Sequence, residues 1–100
     1  MKSKWKATVS NPLGQEVYDM TIDTIDNITQ AHVVNQKGNA TFTQSSSSGP
    51  LTLSALVDVP MRTNINLEFL TDDYRNDQKF NAVLSVGEFA TMSVECVKYE

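Results

Sequence analysis

The 100-residue sequence predicts an all-β fold: eight antiparallel strands in an up-and-down meander, closed or nearly closed into one small barrel. Three observations predict it. Apolar and polar residues alternate with a period of two along most of the chain, most clearly over Pro50–Leu70, which marks strands with one buried and one wet face. Clusters of Gly, Pro, Asn, Asp and Ser break the pattern about every twelve residues, as in an all-β meander. Thr, Ser, Asn and Val are plentiful, long Ala/Leu/Glu/Lys runs are absent, and no segment carries a capped 3.6-residue apolar stripe. A flat eight-stranded sheet would leave its apolar face in water, so the chain is expected to roll up and hide it.

The first strand, Ser3–Ser10, turns Trp5, Ala7 and Val9 inward and Lys4, Lys6 and Thr8 outward. Lys2, Lys4 and Lys6 thus share a solvated outer face. Asn11-Pro12-Leu13-Gly14 is a turn, since Pro presets φ and Gly admits positive φ. The second strand, Gln15–Asp23, points Tyr18, Met20 and Ile22 inward and Val17, Asp19, Thr21 and Asp23 outward. Thr24–Asn27 supplies a polar turn. The third strand, Ile28–Asn35, is poorly patterned. Ile28 and Val34 share one face and Ala31 and Val33 the other, while Gln30 and His32 blur the alternation. It is read as bulged or as an edge strand.

Asn35-Gln36-Lys37-Gly38 is a hairpin loop. The fourth strand, Asn39–Gln44, faces Ala40 and Phe42 inward. Ser45–Ser48 with Gly49-Pro50 is a loop rather than a linker, because neither half of the chain is long enough to fold alone. The fifth strand alternates Leu51, Leu53, Ala55, Val57 and Val59. It turns at Val59-Pro60-Met61-Arg62 into the sixth, with Thr63, Ile65, Leu67 and Phe69. Thr71–Gln78 is read as a solvated polar loop. The seventh strand, Lys79–Val86, faces Phe80, Ala82, Leu84 and Val86 inward. After Gly87-Glu88 the eighth, Phe89–Tyr99, buries Met92, Val94 and Cys96. Val9-Ser10-Asn11-Pro12-Leu13 also lines up with Val57-Asp58-Val59-Pro60-Met61 at an offset of 48, with Val17 falling on Ile65, a faint sign of internal duplication within one domain.

A net charge of −4 argues against nucleic acid, whose binding rests on Lys and Arg neutralising phosphates. Cys96 is the only cysteine, so no internal disulfide exists, and its strand position reads as a buried, inert thiol. No apolar run reaches membrane-spanning length. The N-terminal MKSKWKATVS lacks the apolar core of a signal peptide, so a cytoplasmic setting is expected.

Trp5-x-x-x-Val9 followed by Pro12-Leu13-Gly14, Val57-x-x-Pro60-Met61 in the middle, and Val86-Gly87-x-Phe89 near the end together resemble a bacterial family of small calycin-like β-barrel domains. Where that family shows a glycine-bearing hairpin, this chain reads Asp26-Asn27-Ile28-Thr29 and Asp72 to Lys79, without glycine. The resemblance implies a lipocalin-like barrel of unassigned activity, found alone or appended to hydrolases and oxidoreductases.

Catalytic constellations are missing from the sequence. His32 is the only histidine, and nothing marks Cys96 or the serine run as its partner. One His and one Cys do not make a zinc site. Asp19 and Asp23 share a strand face about 13 Å apart, too far for a glycosidase pair. The Thr71–Asp77 oxygen cluster lacks calcium-loop spacing. No cofactor is expected.

The interior remains. The inward side chains are large, and an eight-stranded barrel is just wide enough for side chains to fill, so volume favours a dry core. Barrels also carry apolar ligands in their mouths. If this one does, Trp5, Tyr18, Met20, Phe42, Phe69 and Met92 are the expected ligand-binding residues, and a cavity of at least about 300 Å³ is required. The leading functional expectation is a non-catalytic barrel binding a small apolar or aromatic molecule. The alternative is a structural or interaction module, a homodimer or an accessory to an enzyme, motivated by Leu56, Leu70 and Val83 on the outer face. A small enzyme has the least support.

Overall fold

A computed structural model describes residues 2–46, 50–58, 61–88 and 90–100. Its strands are β1 Lys2–Asn11, β2 Gly14–Ile25, β3 Ile28–Asn35, β4 Gly38–Ser46, β5 Thr52–Asp58, β6 Arg62–Phe69, β7 Lys79–Val86 and β8 Ala90–Lys98. A single 3-10 turn, Tyr74–Asn76, lies between β6 and β7. Each strand pairs antiparallel with its sequence neighbours, and β8 returns to pair with β1, so the sheet closes into an up-and-down barrel. The seam runs from Trp5 opposite Lys98 to Ser10 opposite Ser93. Backbone bonds from Lys4 N–H to the Glu100 carbonyl (2.8 Å) and from Tyr99 N–H to the Lys4 carbonyl (3.0 Å) extend it. The β1–β8 seam satisfies backbone groups that an open sheet would leave exposed, whereas the β4–β5 pairing runs only from Thr43 opposite Ser54 to Ser46 opposite Thr52. Among the described residues, no helix is long and apolar enough to cross a membrane.

The period-two alternation translates directly into burial. Trp5, Ala7, Met20, Ile22, Ala31, Phe42, Leu53, Leu67, Phe69, Phe80, Ala82, Val94 and Cys96 all lie inside. Their strand neighbours face water. Lys6 pairs with Asp19 on the adjacent strand, and Lys4 Nζ lies 3.7 Å from Glu100, so the lysine face is solvated as expected.

Three expectations are corrected. The third strand is neither bulged nor at an edge: β3 pairs regularly with β2 and β4 and turns Thr29, Ala31 and Val33 inward. Ile28 and Val34 are exposed because the pleat, not their hydrophobicity, decides the face. The irregularity lies instead on β4, where the register shifts between Gln44 and Ser46. Ser45 Oγ donates there to the Thr52 carbonyl at 3.2 Å. The β2–β3 connection tightens to two residues, Asp26 and Asn27, at φ 53° and 67°. Positive φ at both positions is what a type I′ hairpin requires, and Asp and Asn tolerate it without glycine.

The third correction concerns Thr71–Gln78. That segment is not solvated throughout, since Tyr74 is buried within it. Its ring meets Phe69 edge-on at 5.5 Å and lies 6.3 Å from Phe80 and 6.5 Å from Trp5. Trp5 and Phe80 stack edge to face at 4.8 Å. These four rings plug the barrel end where β1 starts and β8 finishes, each such pair adding about 0.5–1.5 kcal/mol beyond its buried area. Val59, the turn at Val59-Pro60, the loop residues Ser47, Ser48 and Gly49, and Phe89 lie outside the described residues. Of the aligned repeat positions, Val17 is exposed whereas Ile65 faces the interior.

Candidate functional site

The strand directions put the β1–β2, β3–β4, β5–β6 and β7–β8 connections at the end opposite the aromatic plug. There the barrel holds a cavity of about 550 Å³ that opens to solvent. Its existence follows from the distribution of side-chain volume along the barrel axis. The four plug rings fill one end. Toward the other, Ala7, Ala40 and Ala55 line the cavity, and a methyl group leaves space where an aromatic ring would close it. The dry core expected from the sum of inward volumes is therefore corrected: the volume is large but concentrated at one end.

Of the six residues expected to bind a ligand, the structure brings together three. Tyr18, Met20 and Phe42 line the cavity on β2 and β4. Trp5 and Phe69 do not, because they are buried in the plug. Met92 is half-buried, packed against the core opposite Leu84, and it is Leu84 that reaches the cavity. Sequence reasoning missed the wall alanines. Their signal was available as small residues at inward positions, but only once strand height was known.

The mouth is polar. The Tyr18 hydroxyl donates to Glu16 Oε2 at 2.9 Å, and Lys37 Nζ donates to Glu16 Oε1 at 2.7 Å. Both carboxylate oxygens are thus occupied. The Lys37 ammonium, then the Tyr18 hydroxyl, hold the Glu16 carboxyl below its usual range, and Glu16 in turn raises Lys37. Tyr18 is raised chiefly by burial and secondly by Glu16. Asn35, Asn39, Thr41 and Asp58 are the other polar residues of the lining.

The remaining candidates stand apart from the cavity. His32 is exposed on the outer face, its Nδ1 2.9 Å from Thr41 Oγ1. Cys96 is fully buried, and desolvation pushes its thiol up to about 12, which keeps it protonated and unreactive. Among the described residues, no three His, Cys, Asp or Glu side chains converge as a metal site. In the Thr71–Asp77 segment, the Thr71 hydroxyl donates to Asp77 and the Asn76 amide to Asp73. Beside the plug, a smaller polar hollow of about 280 Å³ lies against Thr24, Thr29 and Arg75. Buried Thr29 shares a 2.9 Å hydroxyl contact with Thr24, and its N–H donates to Gln44 Oε1 at 3.0 Å, so these polar groups are satisfied within the wall.

Fold and site together define a small up-and-down β-barrel, sealed at one end by aromatic rings and open at the other onto an apolar cavity with a polar mouth. No family model, curated protein or solved structure matches the chain.

Proposed function

We propose that this chain is a non-catalytic binding module that takes a small apolar or aromatic molecule into the open end of its barrel. The observation that carries the reading is the cavity of about 550 Å³ walled by Met20, Phe42, Ala55 and Ile65. Its volume falls within the range of ligand pockets, about 300–1,000 Å³. A predominantly apolar wall with a few polar groups at the mouth is the pattern such pockets share. Kinship with the small calycin-like barrel domains of bacteria belongs to the same reading and rests on the turn and core motifs. A cytoplasmic setting is part of the same proposal.

Titration with N-phenyl-1-naphthylamine, an uncharged fluorophore that brightens in apolar surroundings, tests the reading. Saturable one-to-one binding is expected, with NMR shifts at Met20 and Phe42. Absence of saturation, or shifts confined to the outer surface, would remove it.

The interaction-module alternative draws on exposed Leu56 and Leu70 and half-buried Val83. Leu56 sits at the cavity, where it serves the binding reading, whereas Leu70 and Val83 share a shallow outer depression beside Asn81. A homodimer built on that depression would appear as a concentration-dependent sedimentation coefficient.

A further inference from the structure

The charge arrangement at the mouth bears on which ligands the cavity accepts. Lys37 is the only cationic side chain lining it among the described residues, and its ammonium is engaged by Glu16. Lys37 keeps further N–H donors, but its charge is already shared with Glu16, so a ligand carboxylate there would set two anions on one ammonium. Glu16 and the incoming carboxylate would repel one another, and Asp58, also lining the mouth, would add to that repulsion. Below the mouth the walls are Met20, Phe42, Ala55 and Ile65, where an unpaired charge has no partner and desolvation is costly. A neutral polar group meets neither penalty. Asn35, next after Val33 in the inward series of β3, lines the mouth with an amide whose Oδ1 takes the Lys37 backbone N–H at 2.9 Å and which keeps capacity to donate or accept toward a hydroxyl or amide head.

Building on the binding reading above, we propose that the cavity selects uncharged ligands: an apolar or aromatic body bearing a hydroxyl or amide at its outer end. Carboxylates of the same shape are rejected. The Glu16–Lys37 pair acts as the discriminating element, because it cancels the one positive charge that would attract an anion.

Two naphthalenes of nearly equal size separate the possibilities: 2-naphthol, uncharged at neutral pH, and 2-naphthoate, an anion. Equilibrium dialysis against the full chain is expected to show 2-naphthol bound roughly tenfold or more tightly than 2-naphthoate. In Glu16→Gln, a near-isosteric change at a half-buried position, Lys37 loses its counter-charge and the ratio of the two affinities narrows severalfold in favour of the anion. Equal or tighter binding of 2-naphthoate to the unmodified chain would overturn the charge selection and leave the cavity reading standing. An unchanged ratio in Glu16→Gln would overturn the role of the pair. Binding of neither naphthalene, together with no saturation by N-phenyl-1-naphthylamine, would remove the cavity reading and the selectivity with it.

Discussion

Replacing Ala55 by Leu places three additional carbons against the cavity. If the space is empty, the new side chain enters it without displacing a neighbour. Each buried methylene stabilises by about 0.8 kcal/mol, so complete burial would contribute about 2 kcal/mol. Ala55 is only half-buried and the cavity is open, so about half of that, near 1 kcal/mol, is expected. Ala31→Leu supplies the contrast. Ala31 is fully buried, in register with Ile22 on one side and Phe42 on the other, and it does not line the cavity. The same three carbons there overpack the wall and cost about 1–3 kcal/mol. One substitution type thus acquires opposite signs at two inward alanines. Urea denaturation reads the difference through the midpoint at constant slope. In a domain of this size, 1 kcal/mol also moves Tm by about 4–8 °C. Ala55→Leu should in addition weaken N-phenyl-1-naphthylamine binding, since it occupies the space the probe needs. If Ala55→Leu destabilises as much as Ala31→Leu, the interior is filled at both positions, and the account of volume along the barrel axis is wrong.

Tyr74→Ala removes one of four interlocked rings and should cost about 3–5 kcal/mol, as large aromatic truncations in cores do. Tyr74→Phe should be nearly neutral, because the hydroxyl makes only a 3.4 Å contact with Thr24; a loss under about 1 kcal/mol in Tyr74→Ala would mean that the ring does not seal the barrel. The Glu16–Lys37 link sets a pH dependence with a defined sign. Glu16 is depressed from 4.5, so its contribution is present above that value and fades as pH falls through its lower folded value. Lys37 is raised from 10.5, so its contribution is present below that value and fades as pH rises through its higher folded one. Glu16→Gln should therefore flatten both flanks of the stability–pH profile, and a profile merely displaced in parallel would contradict the link.

The strands were legible because the period of two is a local property. β3 and β7 run over the residues the alternation assigns, and inward residues such as Leu53, Leu67, Ala82 and Val94 lie inside. Closure was legible indirectly, from an apolar face that has no other cover. The failures are those of non-local information. Ile28 and Val34 suggested an irregular strand because hydrophobicity alone cannot choose a face, whereas the register with β2 can. Tyr74 lies in a polar stretch, and only the fold brings it 50 residues along the chain to Thr24 and onto the ring cluster. The site was half legible for the same reason. Trp5 and Tyr18 are both inward aromatics in sequence, but Trp5 sits near the sealed end of β1 and Tyr18 near the open end of β2. Height along the axis cannot be read until the strands are stacked in register.

The backbone bonds that join Lys4 to Tyr99 and Glu100 hold the start of β1 beside the residues after β8, at the pole away from the mouth. Polypeptide fused to either terminus would leave the barrel from behind. A tag, tether or second module could therefore be attached there without shadowing the entrance, and the molecule could be immobilised on a surface with its opening directed outward.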